Sequence, residues 1–342
     1  MRDKRMPLVS VIMPVFNGEE FLEEAILSVF AQTYPNYELV VVHDGSENPG
    51  IRKICGRYKD RLTYIFQKNT GTAGARNTAI RHSSGEYVAF LDEDDVWFPE
   101  KLERQAAFYD DLKRQGKTPC LIYSGFYVTD ENGKTLQKGL FSSSGENFTK
   151  LLFGNFVGTP CSVMVDRKIL DTVGLFDESI RGCEDYELWL RISTRYPLYS
   201  LNEYLAKYRL RKNTLSKDPE IVLEGLRKSF SKVLSGEKRP EGRIAGMIPA
   251  RINAEAAFRF KNAAYERLFK QRNAGAFRRY LKRAWSLDRT TFGARTLFYY
   301  LLSFISVSFC VWLKKHKERG FHDVFVDVNG TALEDWVRRK EA

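Results

Sequence analysis

The chain has 342 residues, with 54 Lys and Arg against 43 Asp and Glu, 43% hydrophobic and 28% charged residues. That is apolar material for about two packed domains, and the composition excludes a disordered chain. Five cysteines (Cys55, Cys120, Cys161, Cys183, Cys310) with no C-x-x-C pair exclude a disulfide framework and fit a reducing compartment, and four scattered histidines exclude a His-built zinc site.

The first seven residues are basic, and the apolar run behind them has the outline of a signal peptide. Pro14 interrupts the run and no small-residue cleavage site follows, so it reads as a buried strand behind a basic leader. Strand patterns at 9–14, 37–43, 62–66 and 87–91 alternate with helix patterns at 20–31, 51–58 and 73–81. Asn17 is placed to cap the first helix, and Pro99 to open a helix running to 113. This alternation predicts βαβ units and a mostly parallel sheet whose strand C-termini share the ligand edge. Further on come a strand at 120–128, a hairpin turn at 130–133, a short helix at 146–153, a strand at 162–165 and an amphipathic helix at 184–194. A mixed sheet flanked by helices is therefore expected over 1–219, followed by a basic, mainly helical region over 220–342.

The basic charge is confined to that second region. Residues beyond Glu220 include 25 Lys and Arg against 12 Asp and Glu, whereas the first 220 include 29 against 31. Such a tail suits a polyanionic surface, acidic lipid or nucleic acid, or else is a solvated helical face. The run 297–313 is apolar, but at 17 residues with three serines it falls short of a bilayer span. Phe298, Leu301, Leu302, Ile305, Phe309, Trp312 and Leu313 share a helical face there, as in an interfacial helix or one buried against another domain.

The densest chemistry is Asp92-Glu93-Asp94-Asp95, directly after the fourth strand. Four consecutive acids at the ligand edge are costly unless a cation sits among them. Hard oxygen ligands without His or Cys suit Mg²⁺ or Mn²⁺, which bring phosphates with them. The alternative is a solvated acidic turn. A second acidic pair, Glu184-Asp185, opens the 184–194 helix, where acids favour the helix N-terminus on their own account.

The order Val9-Ser-Val-Ile-Met-Pro-Val-Phe-Asn17, Asp44-Gly-Ser46, Asn69-Thr-Gly71 with Ala75-Arg-Asn77, and Gly85-Glu-Tyr-Val-Ala-Phe-Leu-Asp-Glu-Asp-Asp95 resembles glycosyltransferase family 2 over the first two-thirds of the chain. The resemblance implies a GT-A nucleotide-sugar-binding fold and inverting sugar transfer from a nucleoside diphosphate donor, UDP by family habit, with Mn²⁺ or Mg²⁺. It places the backbone of Pro14, Val15 and Phe16 against the nucleotide base, with Asp44 accepting a hydrogen bond from it. Asp44 is alternatively an Asx residue stabilising the Gly45 turn. Arg76 would reach the diphosphate or base, Asp92 the ribose or metal, and Asp94 the metal; Glu93 would touch the donor or stay solvated. Asp185 would be the catalytic base, with Glu184 and Trp189 near the acceptor, although Trp189 also reads as core. His43 stands where the family often has a second Asp, and Arg211 where it often has a metal-binding His. The expected partners are a sugar nucleotide, a glycan or lipid-linked acceptor and an anionic membrane, with the protein peripheral at the cytoplasmic face. A non-catalytic sugar-nucleotide sensor is a rival that Asp94 and Asp185 argue against. A nucleic-acid-binding protein is a poorer rival, because the sheet region is slightly acidic.

Overall fold

The structure is a computed structural model describing residues 6–140, 145, 147–211, 217–236, 239–291, 293–304, 307–308 and 310–311. Contacts divide the chain into two units, Met1–Lys212 and Asn213–Ala342.

The first unit holds a nine-stranded sheet in the order β3-β2-β1-β4-β8-β6-β9-β5, with β7 paired to β6. Its first half is β1 (Val9–Val15), α1 (Glu19–Phe30), β2 (Tyr37–Asp44), α2 (Pro49–Gly56), β3 (Thr63–Gln67), α3 (Gly71–Arg81) and β4 (Tyr87–Phe90). These four strands are parallel. Every residue of β1 and β4 is buried, as expected of strands covered on both faces, which is why they read as unbroken apolar runs. Successive crossovers run outward from β1 to β3 and then return to β4 on its other side. The C-terminal ends of β1 and β4 therefore flank the crevice where strand order reverses.

The second half comprises β5 (Val96–Trp97), α4 (Lys101–Arg114), β6 (Leu121–Thr129), β7 (Thr135–Gly139), α5 (Phe148–Phe153), β8 (Val163–Asp166), α6 (Arg167–Val173), α7 (Glu184–Ser193) and β9 (Leu198–Arg209). Here only β6 and β9 pair in parallel; the β4–β8, β6–β8, β6–β7 and β5–β9 pairs are antiparallel. The sheet is mixed as expected, its first four strands all parallel, and the hairpin expected at 130–133 joins β6 to β7.

Two expected helix starts move. The first turn of α1 is capped by Gly18 rather than Asn17, and a Cβ on Gly18 would lie 2.2 Å from the Glu93 carboxyl carbon. Only glycine lets the loop approach the acids so closely. α4 begins at Lys101 with Glu100 as its cap. Pro99 stays outside, its carbonyl accepting from the Thr33 amide at 2.9 Å.

The second unit contains α8 (Pro219–Ser235), α9 (Gly242–Phe269), α10 (Ala274–Leu287) and α11 (Ala294–Leu302). Asp218 caps α8 by accepting from the Glu220 amide (2.9 Å), and Asn273 caps α10 through the Ala276 amide (2.9 Å). Ala264 and Leu268 of α9 pack with Phe277 and Leu281 of α10 and Tyr299 of α11. Among the described residues no helix is long and apolar enough to cross a membrane. Trp312 and Leu313 lie outside the described residues, as do Ile305 and Phe309. All five cysteines are buried.

Candidate active site

The acidic turn leaves β4 directly into the crevice, and its four carboxylates are held by Arg76, Arg211 and the amides of Phe16 and Arg209. Asp92 Oδ1 accepts from Arg76 at 2.7 Å. Glu93 Oε2 accepts the Phe16 amide at 2.8 Å, tying the turn to the end of β1, and Oε1 meets Arg211 at 3.2 Å. Asp94 Oδ2 meets the same guanidinium at 3.3 Å. Asp95 is wholly buried and accepts the Arg209 amide at 2.9 Å. The cations that make four adjacent acids tolerable are thus Arg76 on one side and Arg211 on the other.

Arg209 holds the turn from behind. Its Nε donates to the Asp94 carbonyl and one terminal nitrogen to the Glu131 carbonyl, both at 2.9 Å. No motif in the sequence marks Arg209, and Asp95 stands there only as the last of four acids, with no role of its own. Their roles follow from β9 ending beside the turn, a pairing that only the folded sheet brings about.

Arg76 is turned inward, onto two carboxylates. Its side chain is 3% exposed and spans two carboxylates, Asp92 at 2.7 Å and Glu184 Oε1 at 3.0 Å. Burial alone would weaken its charge, but Asp92 and Glu184 outweigh that and hold the guanidinium above its ordinary range. The acidic turn and the first residue of α7 are therefore joined by one buried side chain.

Asp185 follows at once. Its Oδ1 accepts the Tyr186 amide at 2.7 Å, and among the described residues nothing donates to Oδ2. Desolvation and the adjacent Glu184 push its pKa up to about 7, against the pull of Arg76. That is the range a general base needs at neutral pH. Asp94 is likewise raised, to about 6, by burial and by Asp92 and Glu93.

Other expected site residues fall elsewhere. Trp189 has no exposed surface and packs against Phe90 and Phe176, with ring centroids 6.0 and 6.4 Å away. It is core in this structure, because the inward stripe of α7 carries it against Phe90 and Phe176. Glu184 is engaged by Arg76 rather than facing outward. Glu93 is not solvated: its side chain is 14% exposed. Pro14 and Val15 are buried within β1, and the Phe16 ring stands 44% exposed beside the turn. Asp44 does not serve its own turn: Oδ1 accepts from Gln67 Nε2 (2.7 Å) and the Thr70 amide (2.9 Å), and Oδ2 from the Gly71 amide (2.8 Å). It fastens the end of β2 to the start of α3, leaving lone-pair capacity at Oδ2 for one further donor. His43 is buried between the Tyr64 hydroxyl (2.8 Å) and Ser46 Oγ (2.6 Å), and desolvation lowers its pKa.

Among the described residues no group of three or more His, Cys, Asp or Glu converges as a metal site. Asp92 and Asp94 each keep one carboxylate oxygen to which no described residue donates. Two carboxylates plus phosphate oxygens and water suit Mg²⁺ or Mn²⁺, so these residues fit a metal that arrives with a diphosphate.

This is a crevice at a strand-order switch point, with an acidic turn on one side and a neutral-range carboxylate on the other. Residues 10–174 match the family described as Glycosyl transferase family 2. A putative teichuronic acid biosynthesis glycosyltransferase, TuaG, from Bacillus subtilis is 32% identical over 215 residues, covering 61% of this chain and 82% of TuaG. The Escherichia coli UDP-Glc:alpha-D-GlcNAc-diphosphoundecaprenol beta-1,3-glucosyltransferase WfgD is 33% identical over 213 residues, 61% of this chain and 79% of WfgD. Five Rickettsia glycosyltransferases are 32–33% identical, and the matches span between 31% and 64% of their lengths. Among solved structures, S. aureus TarS 1-349 in complex with UDP-GlcNAc superposes with TM-score 0.55 at 18% identity, covering 94% of this chain and 95% of TarS 1-349. The mannosyltransferase PcManGT from Pyrobaculum calidifontis, in complex with GDP-Man and Mn²⁺, gives 0.53 at 17%, covering 98% and 89%. The chain belongs to glycosyltransferase family 2.

Proposed function

We propose that this protein is an inverting glycosyltransferase that moves a hexosyl or N-acetylhexosaminyl group from a UDP-sugar to a glycan or lipid-linked acceptor. The observation that carries this is the Arg76 bridge, which sets the acidic turn beside Asp185. The names of WfgD and the TarS complex support a UDP donor, and that of WfgD a lipid-linked acceptor.

In this reading the nucleoside diphosphate lies across the C-terminal ends of β1, β2 and β4, with Asp44, Phe16 and Glu93 on its nucleoside side. Asp92 and Asp94 would hold a divalent ion. When bound, that ion stabilises the charge of the departing diphosphate. Arg211 lies against Asp94 and supplies a fixed positive charge at the same place. Asp185 Oδ2 takes the proton of the acceptor hydroxyl as its oxygen attacks the anomeric carbon. The bond from that carbon to the diphosphate oxygen breaks, and configuration inverts. Glu184 and Arg76 hold the base in place and touch neither substrate. We also infer that the basic second unit keeps the protein peripheral on the cytoplasmic face of an anionic membrane.

The test is a thermal-shift series with UDP, GDP and ADP, with and without Mn²⁺, followed by transfer assays from UDP-sugars. At about 100 times its dissociation constant the right nucleotide adds about 2.7 kcal/mol of stability. A protein indifferent to every nucleoside diphosphate would overturn the proposal.

A further inference from the structure

Among the described residues, five of the ten large hydrophobic side chains that stand exposed lie close together in sequence: Trp285, Leu297, Phe298, Leu301 and Phe304, each 45% to 62% exposed. Leu297, Leu301 and Phe304 recur at i, i+4 and i+7 along α11 and the turn after it, so they form one stripe, with Phe298 at its flank. Trp285 of α10 joins them. It lines a cavity of about 160 Å³ together with Leu281, Lys282, Leu297 and Tyr300. Two helices therefore share one apolar face.

Cations edge that face. The Arg278 guanidinium lies 4.3 Å from the Phe304 ring centroid and donates to the Ser303 carbonyl at 2.8 Å. Arg279, Lys282 and Arg289 are exposed. Between residues 267 and 317 the chain has twelve Lys and Arg and one acid, Asp288.

The combination selects the occupant. A second copy of the chain would match the apolar stripe but bring the same cations against it. A nucleic acid would match the cations but leave Leu297 and Leu301 without a partner. An anionic bilayer matches both: headgroup phosphates meet Arg and Lys, aliphatic and Phe side chains enter the acyl boundary, and Trp sits at the interface. We propose that the α10–α11 face, built on Trp285, Leu297, Leu301 and Phe304 and edged by Arg278 and Lys282, is the surface by which this protein lies on an anionic lipid bilayer. This rests on the peripheral-membrane reading above and names the surface responsible.

The test uses the full chain with vesicles of phosphatidylcholine alone or mixed with phosphatidylglycerol. The wild-type protein should float with the mixed vesicles and not with the neutral ones. Leu301→Ser with Phe304→Ser, and separately Arg278→Glu with Lys282→Glu, should each lower the partition coefficient about tenfold or more. These side chains are exposed or half-buried at the surface, so circular dichroism and the UDP-induced thermal shift should match wild type. A wild-type chain that ignores both vesicles overturns the surface and the membrane reading together. Binding that survives in both double variants overturns the surface alone. Retention on duplex DNA without vesicle binding, or a dimer that Leu301→Ser with Phe304→Ser dissociates, also overturns it in favour of that occupant.

Discussion

At the residue scale the chemistry turns on which carboxylate is free. Asp185 has an oxygen that no described residue engages and a pKa pushed up to about 7, so in the proposed mechanism it holds a proton for part of each turnover. Asp185→Asn should leave UDP-sugar affinity within a few-fold and reduce transfer per folded molecule by roughly 10²–10⁴. Because the base must be ionised to act, the transfer rate should fall as pH drops through about 7. Removing the neighbouring charge with Glu184→Gln should move that acid limb to lower pH, since Glu184 raises the Asp185 pKa and Arg76 lowers it. A rate–pH profile of the two proteins checks this, and an unmoved limb would exclude Asp185 as the titrating group. Arg76→Met should cost about 3 kcal/mol in denaturant unfolding, because it strands the buried Glu184 and the half-buried Asp92 without their cation.

At the element scale, β1, β2 and β4 were legible because strands buried on both faces are continuous apolar runs, and α7 because its acids and apolar residues alternate at helical spacing. β9 was not legible. Its sequence mixes Leu and Tyr with Asn, Glu, Lys and Arg, and its pairing with β6 shifts register beside Ser124, Gly125 and Phe126, so no single period runs through it. The site divides in the same way. The acids of the turn and the Glu184-Asp185 pair stand out as local motifs, but Arg76 finds Glu184 across 108 positions and only the fold reveals that it faces inward. α4 shows the cost of a position that no motif marks. Lys101 is wholly buried, bonded to Gln105 at 2.8 Å with its ammonium 3.9 Å from the Trp97 ring centroid, and desolvation pulls its pKa down to about 7. The unfolded chain binds this proton more readily than the folded one, so Lys101 should make stability rise with pH between about 7 and 10. Lys101→Met should flatten that slope and raise the neutral-pH melting temperature by several degrees, as calorimetry across that range would show.

At the scale of the whole molecule, charge is unevenly divided: net −2 in the first 220 residues and +13 in the rest. Vesicle binding should therefore weaken steeply between about 0.05 and 0.5 M NaCl, over which the Debye length falls from about 14 to 4 Å, whereas the UDP-induced thermal shift should change little. Cosedimentation and melting curves over the same salt series separate the two responses. The five buried thiols add an experimental consequence. Burial raises the pKa of Cys55 to about 11 and of Cys120 to about 12, so native thiolate is scarce at neutral pH and shielded from reagents. A cysteine introduced at Leu301 would then be the preferred alkylation site in the folded wild-type background. A polarity-sensitive fluorophore attached there would report whether that helix enters lipid, without first stripping the protein of its own cysteines.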